Sequence, residues 1–123
     1  MSVKEMILVV ATANLTSAEV AQCLKVLSDP TRLLILKLVQ KKEYCVCQFV
    51  EMFEISQPAV SQHIRKLKQT ELLKEVRRGQ WRFYSLDPSS KHYQVVVDVL
   101  NYIDGDDEQL KELLMKETPV ICN

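Results

Sequence analysis

The sequence predicts a mostly α-helical fold that carries one small β-hairpin. Apolar residues recur at helical spacing along most of the chain, and only two glycines occur among the 123 residues. One of those glycines separates two short runs of extended character, which is the pattern of a hairpin turn. With 47% apolar residues the chain can bury a small core, so we expect a single domain over residues 1–123. Within it we expect a core over 15–87, a long helix over 88–104, and an acidic helix and tail over 105–123.

Charge is distributed unevenly along the chain, although the 16 basic and 16 acidic residues cancel. Residues 61–82 hold seven basic and two acidic side chains, whereas residues 98–123 hold seven acidic and two basic ones. This asymmetry resembles a basic binding surface backed by an acidic tail. An apolar run over residues 6–11 is far shorter than a membrane span, and Glu5 interrupts the basic end of a signal peptide. We therefore expect a cytoplasmic protein without membrane contact, whose four cysteines are thiols.

The first half of the chain predicts a series of short helices. Thr16 or Ser17 can cap the first helix through a side-chain oxygen. Its inward face is predicted to consist of Val20, Leu24 and Leu27. Asp29 and Pro30 suit the start of a second helix, which is apolar on several sides and therefore expected at the buried centre. A third short helix is predicted over 44–53, after a polar connection.

The stretch from Ser56 to Lys68 predicts a helix with one face free for a partner. Ser56 is a good N-cap, and the apolar residues Val60, Ile64 and Leu67 form one narrow stripe to dock on the core. The opposite side carries small, amide and basic groups, which suit a DNA major groove because amides pair with adenine and cations reach phosphate or guanine. The candidate DNA-contacting residues here are Ser56, Gln57, Ala59, Ser61, Gln62, His63, Arg65 and Lys66. An ordinary solvated helix is the alternative.

A short helix, a tight turn and this second helix form the pattern of a helix-turn-helix. The hairpin that follows is predicted to turn at Arg78-Gly79-Gln80. Three basic residues, Arg77, Arg78 and Arg82, lie at or beside its tip. Such a hairpin is typical of a wing that lies along phosphates or enters the minor groove, and a solvated hairpin is the alternative. The fold is therefore predicted to be a winged helix-turn-helix.

The region after the hairpin predicts a dimer. Asp87-Pro88-Ser89 suits the start of a long helix, whose apolar stripe is longer than a lone domain of this size needs. The stripe consists of Tyr93, Val96, Val97, Leu100 and Ile103. A dimer through terminal helices would place two recognition helices on successive turns of a palindromic operator. A last acidic helix is predicted over 106–116, and residues 3–13 suit either a short helix or an arm on the partner subunit.

These segments resemble the ArsR/SmtB family of metal-sensing, winged-helix repressors. The resemblance covers roughly residues 20–100, through the stretches LSDPTRLLIL, CVCQF, SQPAVSQHIRKLK and RRGQWRFYSL. Cys45-Val46-Cys47 is similar to the metal box of the arsenic and soft-metal branch of that family. The resemblance implies a homodimer that represses its operon and leaves double-stranded operator DNA when an inducer binds.

The chemistry of the cysteine pair agrees with a soft inducer. Thiolates select arsenite, antimonite, Cd(II), Pb(II), Cu(I) or Zn(II) over hard cations. Cys45 and Cys47 would lie about 200° apart on a regular helix, so metal capture is expected to unwind its first turn and displace the recognition helix. Some arsenic sensors of the family have a third cysteine where this chain has Val50, which leaves Cys122, Cys23 or an exogenous thiol to complete the site. Buried core thiols are the alternative for Cys45 and Cys47.

Three functions are compatible with the sequence. The leading one is a repressor relieved by arsenite, antimonite or a soft metal such as Cd(II) or Pb(II). The second is a redox or persulfide switch that pairs Cys45 or Cys47 with Cys122. The third is an interaction domain whose winged helix binds protein. A carboxylate and histidine site on the dimer helix is disfavoured because His92 stands alone there, and no catalytic grouping or nucleotide cradle predicts an enzyme or an organic cofactor.

Overall fold

A computed structural model describes residues 14–119, which form six helices and a three-stranded antiparallel sheet. The helices are α1 (Ser17–Leu27), α2 (Pro30–Val39), α3 (Val46–Phe53), α4 (Gln57–Gln69), α5 (Tyr93–Leu100) and α6 (Glu108–Met115). The strands are β1 (Tyr44–Cys45), β2 (Leu73–Arg78) and β3 (Trp81–Leu86), and the sheet order is β1-β3-β2. The apolar segment 3–13 and Cys122 lie outside the described residues.

The predicted helix starts are confirmed for α1, α2 and α4. The Thr16 hydroxyl accepts a hydrogen bond from the Glu19 amide at 3.1 Å, and the Glu19 carboxylate accepts one from the Thr16 amide. Asp29 caps α2 and Ser56 caps α4 in the same way, each accepting from a first-turn amide at 3.0 and 3.3 Å. These side chains satisfy amides that the helix itself leaves without partners. The start of each helix is therefore encoded locally in the sequence.

The hydrophobic core lies between α2, α3, α4 and α5. Seven of its side chains have 0% exposure, namely Ile35, Leu36, Phe49, Met52, Val60, Leu67 and Leu100. The predicted inward face of α1 is wrong in part, because Leu24 is 46% exposed and Cys23, Val26 and Leu27 are the buried residues. Both sets have helical spacing, so periodicity alone could not choose between them; Cys23 is buried as a small hydrophobic side chain.

The predicted start of the third helix is two residues too early. Tyr44 and Cys45 form β1, which pairs with Tyr84 and Phe83 of β3. Cys45 has extended backbone angles, φ −98° and ψ 165°, and α3 begins only at Val46. The pairing gives β3 a hydrogen-bonded neighbour on its outer edge. This long-range contact overrides the helical pattern that the local sequence suggests.

The predicted hairpin is confirmed. β2 and β3 pair from Leu73 opposite Leu86 to Arg78 opposite Trp81, and Gly79 and Gln80 form the connection. Gly79 has a φ of +62°, a conformation that glycine adopts without steric cost and that two-residue hairpin turns require. The wing therefore places its basic residues at one end of the sheet.

The long helix predicted over 88–104 is wrong in its bounds, since α5 covers only Tyr93–Leu100. The Asp87 carboxylate accepts hydrogen bonds from the amide and hydroxyl of Ser89, which makes a turn before the helix. Val96 and Leu100, predicted to face a partner, are 1% and 0% exposed in the core of their own chain. These two residues of the predicted dimer stripe therefore belong to the core of the subunit and not to a subunit interface.

The last predicted helix is confirmed as α6, which Asp107 caps by accepting from the Leu110 amide at 3.0 Å. α6 packs against α3 and so reaches the helix-turn-helix. A search of the chain from residue 14 to 119 finds no helix with the length and apolar character that a membrane span requires.

Candidate functional site

The outward face of α4 is open to solvent. Gln57, Gln62, Arg65 and Lys66 are exposed there, while Val60, Ile64 and Leu67 are buried on the opposite side. Ser56 is also exposed, and Ala59 and Ser61 are partly buried. The face with amide and basic groups is therefore the one that a groove of DNA could contact.

His63 lies at the edge of this face rather than on it. Its side chain is partly buried, and Nδ1 lies 3.4 Å from Nη1 of Arg32 on α2. Arg32 also donates from Nε to the Val26 carbonyl oxygen at 2.9 Å. The His63 imidazole therefore contacts a side chain that holds α1 and α2 together.

The wing presents its three arginines differently. Arg77 and Arg82 are exposed and lie directly opposite each other on β2 and β3. Arg78 instead forms an ion pair with Glu43 and lies over the Phe83 ring, 5.2 Å from its centroid. The Arg78 hydrogen bond holds the pKa of Glu43 below its usual value. Of the three arginines, Arg77 and Arg82 have no carboxylate hydrogen-bonded to them among the described contacts.

Glu75 connects the wing to the recognition helix. Its carboxylate accepts from Lys68 of α4 at 3.0 Å and from the Tyr84 hydroxyl at 3.0 Å. The Lys68 hydrogen bond lowers the pKa of Glu75. Burial and the bond to Glu75 raise the pKa of Tyr84 to about 12. These contacts favour movement of α4 and the wing as one unit.

The cysteine pair lies at the start of α3, not within a regular helix. Cys45 is 3% exposed and is both the last residue of β1 and the N-cap of α3. Its amide donates to Oε1 of Gln48 at 3.0 Å. Cys47 lies in the first turn and is partly buried. It takes part in a disulfide bond, so the expectation that all four cysteines are thiols is wrong for Cys47. The predicted angle of about 200° between the two side chains around a helix therefore does not apply, because Cys45 lies before the helix begins.

A cleft of about 520 Å³ connects this pair to both DNA-binding elements. Its lining includes Cys45 and Cys47, Ser61 of α4, and Trp81 and Arg82 of the wing. The sequence places these segments far apart along the chain, and the β1 to β3 pairing brings them together. A group bound to the cysteines would therefore lie in the same cleft as residues of the recognition helix and the wing.

Cys23 lies away from this cleft. It is a free thiol, 1% exposed, and burial raises its pKa. It lines a separate cleft of about 400 Å³ together with His92, whose buried Nδ1 has no hydrogen-bond partner among the described residues. Within residues 14–119, no group of three His, Cys, Asp or Glu side chains is arranged to hold a metal ion. The described residues thus bring Cys45 and Cys47 together and do not add Cys23 to them.

Sequence reasoning missed a group of residues that surrounds the cysteine pair. The Glu117 carboxylate accepts hydrogen bonds from the Tyr44 hydroxyl and from Lys42. Burial raises the pKa of Glu117, but these hydrogen bonds outweigh it and the net shift is downward. Gln48 donates from Nε2 to the Thr118 carbonyl oxygen at 3.0 Å. The spacing of Cys45 and Gln48, which matches a capping box, is the one signal that could have identified Gln48.

The architecture defines the class of protein. α3, a turn at Glu54 with a φ of 55°, and α4 form a helix-turn-helix, and β2 and β3 form a wing beside it. An exposed basic and amide face on the second helix is typical of DNA-binding proteins. The chain is a winged helix-turn-helix protein, as the sequence predicts.

Comparison with known proteins identifies the family. Residues 29–75 match the bacterial regulatory proteins of the arsR family. The chain is 38% identical over 87 residues to an arsenical resistance operon repressor of Staphylococcus xylosus, across 70% of this chain and 84% of that protein. It is 32% identical over 106 residues to the arsenic resistance transcriptional regulator ArsR1 of Pseudomonas putida, across 80% and 83%. The solved structure of the transcriptional repressor BigR from Xylella fastidiosa matches with a TM-score of 0.65 and 26% identity, across 75% of this chain and 90% of that one.

The chain therefore belongs to the ArsR family. It is a DNA-binding transcriptional regulator and not an enzyme, which confirms the family resemblance seen in the sequence.

Proposed function

We propose that the protein is a homodimeric repressor that leaves its operator when arsenite, antimonite or a soft metal such as Cd(II) or Pb(II) binds Cys45 and Cys47. The observation that carries this proposal is the cleft that joins the two cysteines to α4 and the wing. No other arrangement in residues 14–119 brings a thiol pair into contact with both DNA-binding elements. Inducer binding and DNA binding would then be coupled through shared residues.

The DNA side of the proposal depends on α4 and the wing. Gln62, Arg65 and Lys66 would enter the major groove, with Ser56, Gln57, Ala59, Ser61 and His63 around them. Arg77 and Arg82 face each other as like charges, an arrangement that destabilises an isolated hairpin. A phosphate between them would remove that repulsion. Arg78, held by Glu43, would contribute a weaker contact from the same tip.

The dimer would form through the terminal helices. Leu24 of α1 and Leu114 of α6 are 46% and 47% exposed, and Tyr102 and Met115 are 91% and 85% exposed. Exposed large apolar side chains suit a protein interface. A two-fold dimer would present two copies of α4 to successive turns of a palindromic operator.

The inducer would act by occupying the cleft. Thiolates prefer arsenite and soft cations, and relatives named for arsenical resistance favour arsenite among them. A metalloid held by Cys45 and Cys47 would push against Ser61 and Arg82, which line the same space. Reciprocal coupling of this kind typically amounts to about 1 to 3 kcal/mol, or roughly 5- to 150-fold in affinity. Displacement in the cleft replaces unwinding of α3 as the proposed switch.

Trigonal arsenite needs a third thiolate, and we assign it to Cys122. Cys23 is a weaker candidate because it is buried in the core, its thiol pKa is raised, and it lines another cleft. An exogenous thiol is the remaining alternative.

Fluorescence anisotropy of reduced protein on its own upstream DNA would test the function. We expect arsenite or Cd(II) to release the DNA from the wild type and not from Cys45→Ser. Cys23→Ser serves as a matched control and should respond like the wild type. DNA binding that ignores every metal would contradict the proposal.

A thiol redox switch is the second candidate, and the disulfide bond of Cys47 favours it. It predicts that hydrogen peroxide changes operator affinity in metal-free protein and that a reductant reverses the change. Release by arsenite under reducing conditions, without any response to peroxide, would exclude this candidate.

A further inference from the structure

Arg32 is a nearly buried arginine at the junction of α1, α2 and the recognition helix. Its side chain is 13% exposed. Nε donates to the carbonyl oxygen of Val26 in α1 at 2.9 Å, and Nη1 lies 3.8 Å from the carboxylate of Asp29, the N-cap of α2. Nη1 also lies 3.4 Å from Nδ1 of His63 in α4. The guanidinium is therefore held by α1 and α2 while it faces the edge of the recognition helix.

The contact between Arg32 and His63 selects the nitrogen of the imidazole that carries the proton. A guanidinium has donors and no acceptor, so Nδ1 of His63 must accept and must be unprotonated for the two groups to bond. A neutral imidazole then has its proton on Nε2, which becomes a hydrogen-bond donor. The hydrogen bond at one ring nitrogen thus defines the role of the other.

The Nε2 atom of His63 remains accessible to a partner. Among residues 14–119 no hydrogen bond to it is formed, and it does not belong to the buried polar atoms that lack a partner. Ala59 and Lys66, one turn before and one turn after His63, lie on the same side of α4. A donor at this edge of the helix suits a DNA phosphate, because phosphate oxygens commonly accept from side chains that flank the base-reading residues.

We propose that Arg32 is a positioning residue for operator binding, which holds His63 in the tautomer with its proton on Nε2 so that His63 donates a hydrogen bond to a DNA phosphate. The inference rests on the proposed contact between α4 and DNA, and it gives His63 a specific role in that contact. Arg32 acts through His63 and not by touching the DNA. It differs in this respect from Arg65 and Arg82, whose side chains are exposed.

Nitrogen-15 spectra of the imidazole rings test the tautomer directly. Long-range proton correlations distinguish a protonated ring nitrogen from an unprotonated one, and His63→Ala assigns the signals because the chain has two histidines. At about pH 8, where histidine is ordinarily neutral, we expect the proton of His63 on Nε2 in the wild type. Arg32→Gln should give a mixture of tautomers, since an amide can donate or accept. A wild-type His63 with its proton on Nδ1 would overturn the proposal, whether or not the variant folds.

A double-mutant cycle on operator DNA separates this role from a structural one. Arg32→Gln and His63→Ala should each weaken operator binding about fivefold, the scale of one hydrogen bond, and the double variant should be no weaker than His63→Ala. Equal weakening by Arg32→Gln in both backgrounds would mean that Arg32 acts without His63, and the proposal would be wrong. Lys25→Gln, which removes an exposed charge of α1, is the control and should bind like the wild type.

The kind of DNA contact is tested by sequence and salt. His63→Ala should weaken binding to operator and scrambled DNA by the same factor and leave the slope of log K against log salt unchanged, because a neutral donor releases no counterion. A loss confined to operator DNA would mean that His63 reads a base, and the assignment to a phosphate would be wrong. Wild-type protein that does not bind its upstream DNA, although His63 has the expected tautomer, would instead contradict the proposed function.

Discussion

Individual arginines of the wing differ in what they can offer to DNA. Arg78 is already hydrogen-bonded to Glu43, so contact with a phosphate would have to compete with that carboxylate. Arg82 is exposed, faces Arg77, and has no hydrogen bond to a carboxylate among the described contacts. The sequence alone gives no reason to rank the three arginines as DNA contacts, because Glu43, the partner of Arg78, lies 35 residues away along the chain.

Arg82→Ala and Gln62→Ala should weaken DNA binding in different ways. Removing a side chain that neutralises a phosphate lowers affinity for all sequences and makes the slope of log K against log salt shallower by about 1. Removing a side chain that reads a base costs about 1 to 3 kcal/mol at the operator and relaxes sequence preference. Operator and scrambled DNA, titrated over a range of salt, distinguish these effects. Identical behaviour of the two variants would refute the assignment of Arg82 to a phosphate and of Gln62 to a base.

The starts of helices that have a local capping residue are predicted well from the sequence, and the starts that depend on other contacts are not. Ser56 and Asp29 determine where α4 and α2 begin through side-chain caps. The start of α3 depends on pairing of Tyr44 with Tyr84, which no local pattern encodes. α5 begins later than predicted because Asp87 makes a turn with Ser89 instead of capping a helix. Local chemistry therefore predicts a helix boundary only where no strand or turn competes for it.

The Glu75 bridge between α4 and β2 makes stability depend on pH. The pKa of Glu75 is lowered in the folded protein, so the ionised carboxylate stabilises the fold above its unfolded pKa. That contribution should disappear as the pH falls through the lowered folded value. We expect Glu75→Gln to be less stable than the wild type at about pH 7, with the difference shrinking toward about pH 3. Urea unfolding of both proteins at several pH values measures this difference in stability.

For the whole molecule, the sequence predicts the two cysteines, the α4 face and the wing, but not how they meet. Cys45, Ser61 and Arg82 share one cleft because β1 joins the sheet beside the wing. The bond from Gln48 to Thr118 joins residues 70 apart, and the bond from Tyr44 to Glu117 joins residues 73 apart. Helical periodicity carries no information on contacts over such separations, so these two hydrogen bonds could not be predicted from the sequence.

Dimerisation can be tested on the exposed apolar residues of α6. Leu114→Glu with Met115→Glu should raise the dimer dissociation constant at least about tenfold, because buried carboxylates would face the partner. Operator affinity should fall with it, since one subunit contacts only a half-site. Sedimentation velocity measures the dimer, and Lys111→Glu on the same helix is the control. An unchanged dimer would mean that other surfaces join the subunits.

If the protein is induced through this cleft, as proposed, the position of the cleft would also determine the order of events during induction. Ser61 and Arg82, which border the space beside the cysteines, belong to the elements proposed to lie against DNA. A bound operator would therefore cover the entrance that an inducer has to use. Arsenite would capture the protein mainly in intervals when it has left the DNA, and would then prevent its return. The response time of the operon would accordingly reach a limit set by the lifetime of the repressor on its operator, however much arsenite is present.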